Sequence, residues 1–140
     1  MNQLMSRGRT VEEAGKALAR VLVVDDSITQ RMFYRSVLEA AGFVVEEAAN
    51  GMEGYEKALA QTFDLLIVDI NMPKMDGYSM MRMIRDDPAV RMTPAVMIST
   101  EGGSKDLVKA FEAGANYYLQ KPVQPDELTD IARMIAGVPL

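Results

Sequence analysis

Neither cysteine nor histidine occurs in the 140 residues, and these two absences remove most of the usual catalytic repertoire. Without cysteine there are no disulfides, thiolate metal sites or sulfur nucleophiles. Without histidine there is no Ser-His-Asp triad, no imidazole-ligated metal and no phosphohistidine. Chemistry is left to carboxylates, hydroxyls, lysines and backbone groups. Long apolar runs are missing as well. None approaches the ~20 residues that span a bilayer, and Met1 to Arg20 is too mixed for a secretory signal, so the chain is expected to be cytoplasmic, without membrane contact. Positive charge is in short supply. A net charge of −5 argues against general affinity for nucleic acid. Residues 1–20 are mildly basic through Arg7, Arg9, Lys16 and Arg20, too weakly to read as a nucleic-acid arm.

What is present fits one soluble globular domain: 49% hydrophobic and 25% charged residues in a length that suits a single core. Short apolar runs begin at Val21, Phe43, Leu65, Ala95 and Tyr117. They are continuous rather than alternating, the pattern of strands buried on both faces of a parallel sheet. Helical periodicity fills the gaps, with stripes at Phe33, Tyr34, Val37, Leu38 and Ala41; at Tyr55, Ala58, Leu59 and Thr62; at Met80, Met81 and Ile84; at Leu107, Val108 and Phe111; and at Leu128, Ile131, Ala132 and Ile135. Gly42 and Gly114 mark helix ends, Asn50-Gly51 opens the second helix, and Pro125 starts the fifth. Five strand–helix units predict a doubly wound, flavodoxin-like α/β domain with helices on both faces of a five-stranded parallel sheet. Most of the 12 methionines are expected to fill core gaps, Met80, Met81 and Met83 among them. Gly102-Gly103 reads as a loop, and Arg85-Asp86-Asp87-Pro88 as a helix end with a solvated turn.

The informative residues follow the runs. Asp25-Asp26 end the first, Asp69 the third, Ser99-Thr100 the fourth, and Gln120-Lys121-Pro122 the fifth. In a parallel sheet these positions share one edge, where open α/β sheets bind ligands. Each feature alone has an ordinary explanation as a turn, a cap or a surface lysine. Their joint arrival at strand ends points to a site. Three carboxylates in one crevice repel, and each disfavours ionisation of its neighbours. Lys121 offers one compensating charge. An all-oxygen ligand set suits a hard divalent ion, and magnesium binds through carboxylates, waters and phosphate oxygens. An aspartate can attack phosphorus to form an acyl phosphate, with the Ser99 hydroxyl and Lys121 ammonium taking up phosphoryl oxygens.

The segments Val-Leu-Val-Val-Asp25-Asp26-Ser, Ile-Val-Asp69-Ile-Asn71-Met-Pro73-Lys-Met-Asp-Gly77, Met-Ile-Ser99-Thr and Lys121-Pro122 together resemble response-regulator receiver domains, in particular single-domain, chemotaxis-type (CheY-like) regulators. The resemblance runs from about Arg20 to the C-terminus. It implies the strand order 2-1-3-4-5, the order already given for such proteins among doubly wound folds. It implies Asp69 as phosphoacceptor, and Asp25, Asp26 and the Asn71 backbone carbonyl with Asp69 as magnesium ligands. It also implies Ser99 as switch hydroxyl, Tyr118 as switch aromatic, and Lys121 as the lysine that precedes a proline often joined in cis. Ser99 stands where Thr is commoner, and Thr100 where a smaller Ala is frequent, beside the phosphoryl entrance.

The implied function is a stand-alone response regulator of a two-component phosphorelay, a binding module rather than an enzyme. It would be phosphorylated by a sensor histidine kinase or phosphotransfer protein, and would signal through the face of the fourth helix, fifth strand and fifth helix. Asn71 and Glu101 are the positions expected to tune phosphate lifetime. The weighed alternatives are a magnesium-dependent aspartyl-phosphate phosphatase, a flavin site and a phosphorylation-independent dimerising receiver. The Asp-x-Asp expected of such a phosphatase after the first strand is missing, and the Asp25-Asp26 loop would repel a cofactor phosphate. Residues 20–140 are assigned to the receiver. Residues 1–19 form a leader, either a short helix capped at Thr10 or a tail.

Overall fold

Each apolar run becomes a strand, and the strands lie side by side in parallel in the computed structural model, which describes residues 18–137. In chain order these are β1 (Arg20–Val24), α1 (Ile28–Ala40), β2 (Val44–Ala48), α2 (Gly51–Ala60), β3 (Leu65–Asp69), α3 (Gly77–Asp86), β4 (Ala95–Ser99), α4 (Ser104–Ala113), β5 (Tyr117–Gln120) and α5 (Pro125–Ala136). The sheet order is β2-β1-β3-β4-β5, so the expected flavodoxin-like arrangement is present. Register aligns Val21 with Leu65, Leu66 with Ala95, and Val96 with Tyr117. The strand ends therefore finish near one line.

Strand side chains alternate between faces, and the sheet divides the core in two. On one side Leu22, Val24, Leu66, Val68 and Met97 meet Ala58 of α2, Met80, Met81 and Ile84 of α3, and Ala110 of α4. On the other, Val21, Val23, Leu65, Ile67, Val96, Ile98 and Leu119 meet Tyr34 and Leu38 of α1 and Leu128 and Ala132 of α5. Burying a side chain such as Leu38 or Ile84 contributes about 1.5–3 kcal/mol, which explains why continuous apolar runs are required in β1, β3 and β4.

Local chemistry starts and stops the helices as the sequence suggests. Ser27 caps α1 by accepting the Gln30 N–H (3.2 Å), and Asn50 caps α2 by accepting that of Glu53 (2.9 Å). The Glu53 carboxylate reaches back to the Ala49 N–H (2.6 Å), and Asp76 caps α3 at Ser79 (2.8 Å). Gly114 closes α4 at φ +113°, a left-handed conformation that favours glycine.

Three expectations change. Leu107, Val108 and Phe111 face outward, 40–52% exposed, and α4 packs inward through Ala110 and Ala113. The short alanines let the helix lie close to its neighbours, and their small side chains gave the stripe no weight. Leu59 is likewise exposed, and Thr62 lies beyond the end of α2. Arg85 is not part of a solvated turn. Its guanidinium donates to the carbonyls of Gly114 (2.8 and 2.9 Å), Thr93 (2.6 Å) and Arg91 (2.9 Å), joining the end of α3 to the end of α4 and the entry to β4. The expected capping of a leader helix at Thr10 lies outside the described residues.

The loop from Ile70 to Asp76 is held under the strand ends by Gly77, whose N–H donates to the Ile70 carbonyl (2.9 Å). A Cβ there would sit 2.5 Å from the Asp69 carbonyl oxygen and 2.9 Å from Ile70 Cα, both backbone atoms that cannot step aside. Gly77→Ala is therefore expected to destabilise the protein by about 1–3 kcal/mol, read as a lower urea midpoint with an unchanged slope.

Candidate functional site

The carboxyl edge of the sheet collects the polar residues that the strand-end pattern singles out. Asp25 follows β1, is 1% exposed and directs Oδ1 to the Ser27 N–H (2.8 Å). Asp26, the next residue, is exposed. Asp69 is the last residue of β3 and is 4% exposed. One carboxylate oxygen from each of Asp25, Asp26 and Asp69 lies within 4.8 Å of the others.

Lys121 enters from the far end of the sheet, after β5. Its Nζ stands 3.3 Å from Asp69 Oδ1 and 3.8 Å from Asp25 Oδ2. The Lys121–Pro122 peptide is cis, and the Lys121 N–H donates to the Ser99 carbonyl (2.8 Å). Arg31, one turn into α1, was not singled out by the sequence pattern, because nothing in its spacing marks it. Its Nη1 donates to the Asp25 carbonyl (2.6 Å), while its Nε pairs with Glu47 on β2 (2.9 Å). It anchors the backbone of the acidic turn.

The electrostatics follow from burial. Desolvation first, and then the Asp25 charge, raise the Asp69 carboxyl to about 6 against the opposing pull of Lys121 and the Asn71 backbone N–H. Desolvation also lifts Asp25, with Asp26 adding to it, while the Ser27 N–H, Lys121 and Arg31 oppose. One ammonium thus faces a cluster whose full ionisation needs more positive charge. The buried Asp25 Oδ2 has no hydrogen-bond partner, and the donor set is oxygen only, which fits a hard divalent cation.

The remaining singled-out residues surround this cluster. Ser99 ends β4, is 1% exposed, donates its hydroxyl to Asn71 Oδ1 (3.2 Å) and accepts the Glu101 N–H (3.1 Å). Asn71 is therefore tied to Ser99 through its side chain. Thr100 is exposed at the mouth. Tyr118 is half-buried, packs against the core cluster of Met97 and Ala110, and donates its hydroxyl to the Glu101 carbonyl. Gly103 precedes α4 with no side-chain cap, consistent with a loop.

Comparison with known proteins agrees with this geometry. Residues 21–133 match the response regulator receiver domain family. The chemotaxis protein CheY1 of Helicobacter pylori is 39% identical over 121 residues, which cover 84% of this chain and 97% of that one. A gliding motility regulatory protein of Myxococcus xanthus is 40% identical over 117 residues, and there the chain spans only 15% of the relative's length. The receiver domain of the sensor histidine kinase PA1611 from Pseudomonas aeruginosa superposes with a TM-score of 0.80 at 28% identity, covering 86% of this chain and 98% of that one. It has a magnesium ion coordinated in its active-site cleft. The chain belongs to the response regulator receiver-domain family.

Proposed function

We propose that Asp69 is the residue of this receiver that accepts the phosphoryl group, and that the change of state is read by a protein partner. The observation that carries this reading is the ion pair of Lys121 Nζ with Asp69 Oδ1 (3.3 Å) beside two further carboxylates. An isolated buried aspartate pairs with a cation or becomes neutral. Here the cation is shared with Asp25, so the Asp69 carboxylate remains a nucleophile close to its ionisation midpoint. In the transfer, an Asp69 oxygen forms a bond to phosphorus as the donor's bond to phosphorus breaks, and the leaving group departs with that bond's electron pair. Lys121 offsets charge on the phosphoryl oxygens. The Ser99 hydroxyl exchanges its bond to Asn71 for a phosphoryl oxygen. Asp25, Asp26 and Asp69, with the Asn71 backbone carbonyl, would hold a magnesium ion, which when bound adds positive charge against the transferring oxygens. The magnesium in the PA1611 receiver supports this assignment.

Movement of Ser99 frees the segment through Glu101 that now holds Tyr118, and Tyr118 then turns inward as the switch aromatic. The responding face is α4, β5 and α5, where Leu107, Val108, Phe111 and Tyr117 are exposed. The donor would be a sensor histidine kinase or phosphotransfer protein, since this chain has no histidine to serve the purpose. Among the described residues no helix is long and apolar enough to cross a membrane, in keeping with the proposed cytoplasmic role. Residues 20–140 are taken as the receiver and 1–19 as its leader, and the protein acts as a binding switch rather than by turning over a substrate.

Incubation with acetyl phosphate and magnesium is expected to yield an acid-stable, alkali-labile phosphoprotein. Asp69→Ala abolishes the label, and Lys121→Ala reduces it at least tenfold. Labelling that persists in Asp69→Ala assigns the phosphoacceptor elsewhere. A second expectation concerns stability. A carboxyl at about 6 instead of 3.8 binds its proton more tightly folded than unfolded. The metal-free protein therefore gains stability as pH falls from 8 through 6, with the gain complete near the unfolded value. At neutral pH the strain amounts to roughly 3 kcal/mol, and solvent screening leaves about 1–2 kcal/mol. Asp69→Asn should raise the metal-free urea midpoint at pH 7.5 by that amount and flatten its pH dependence between 5 and 8. A lower midpoint would refute the repulsion.

A further inference from the structure

Two side-chain polar atoms among the described residues are buried with no hydrogen-bond partner: Asp25 Oδ2 and the hydroxyl of Tyr34. They belong to the same side of the sheet. Tyr34 is 1% exposed and packs in the cluster of Val21, Val23, Leu65 and Ile67. Strand side chains alternate, so the next residues on that side are Asp25 after Val23 and Asp69 after Ile67. Tyr34 also lies three residues beyond Arg31 on α1, on a neighbouring part of the helix surface, and Arg31 holds the Asp25 carbonyl at 2.6 Å. The phenol therefore lies on the same side of the sheet as the two carboxylates, near enough for the charges of Asp25 and Asp69 to act on it. Burial, then the charges of Asp25 and Asp69, push its ionisation above the ordinary tyrosine range, which keeps the group a neutral donor.

The two orphans are complementary. The hydroxyl has a proton to give, and the carboxylate oxygen has lone pairs to receive it. A buried group of either kind left alone is destabilising. They do not bond each other directly, but a single water between them would have the hydroxyl, Oδ2 and the Lys121 ammonium as partners, enough to hold it. Asp25 Oδ1 is already engaged by the Ser27 N–H, whereas Oδ2 has only the more distant Lys121 ammonium at 3.8 Å.

We propose that Tyr34 is a positioning residue of the crevice: its hydroxyl donates through one trapped water to Asp25 Oδ2 and sets the direction of that carboxylate. The consequence for the cation rests on the reading that Asp25 is one of its ligands. Groups that orient a metal ligand strongly affect metal affinity, and one acting through a water should have a smaller effect.

Tyr34→Phe removes one oxygen and keeps the ring. Magnesium titration by calorimetry is expected to show a dissociation constant about three- to tenfold higher than in the parent. Without metal, the urea midpoint is expected to fall, because the bridge is lost and Oδ2 is left with less. An idle hydroxyl would give the opposite sign, since phenylalanine relieves a buried orphan. A raised midpoint, or an unchanged magnesium affinity, overturns the proposal. If the parent protein takes up no magnesium, the cation reading fails by itself, and the metal-free arm still decides the bond. In an Asp25→Ala background the destabilisation by Tyr34→Phe must then disappear, and its persistence overturns the bridge.

Discussion

Asp25, Asp26 and Asp69 hold carboxylate oxygens within 4.8 Å of one another, two of the three residues are buried, and a single lysine stands between them. The sheet makes this unavoidable. With all strands parallel and their ends nearly in line, whatever follows β1, β3, β4 and β5 gathers at one rim. The core beneath is apolar, so the charges that gather there interact strongly. Lys121 must come from residues distant in sequence to meet Asp25 and Asp69, and its approach depends on the backbone bond to Ser99. The folded chain thus carries a site under electrostatic tension, relieved by added positive charge or by converting one carboxylate into something else.

The pattern of strands was legible because burial on both faces demands unbroken apolar runs, and helix stripes and glycines punctuate them. The acids at the rim were legible for a related reason, since a parallel strand has one functional end and Asp25 and Asp69 occupy it. What stayed hidden is side-chain direction. Periodicity weighs large apolar residues, so it placed Leu107, Val108 and Phe111 inward, where Ala110 and Ala113 in fact lie. A lone arginine before a proline reads as a solvated turn, yet Arg85 reaches carbonyls up to 29 residues away. The bond between Ser99 and Asn71, the direction of Tyr118 and the unpartnered oxygen of Tyr34 also depend on residues far apart in sequence. Pattern counts Tyr34 as apolar, and its ring behaves so; only its last atom does not. The leader lies outside the described residues.

The state of the rim is divided between tight and loose attachments. Asp25 is held at its carbonyl by Arg31 and at Oδ1 by Ser27, whereas the Ser99 hydroxyl is engaged only with neighbours, Asn71 and Glu101, that are themselves exposed. The same serine accepts the Glu101 N–H, and the Glu101 carbonyl accepts the hydroxyl of Tyr118, so a short hydrogen-bonded path joins the end of β4 to β5.

Helix α4 presents only alanines to the interior and begins at a glycine that offers no side-chain cap. Compared with α1, which sinks Tyr34 and Leu38 and is capped by Ser27, it gives up several buried methylenes and a capping bond. It is consequently fastened to the sheet with less free energy than α1, and its amides should exchange with solvent hydrogen well before those of α1. A segment so lightly secured can open locally at a smaller cost than α1 while the strands beneath it stay paired.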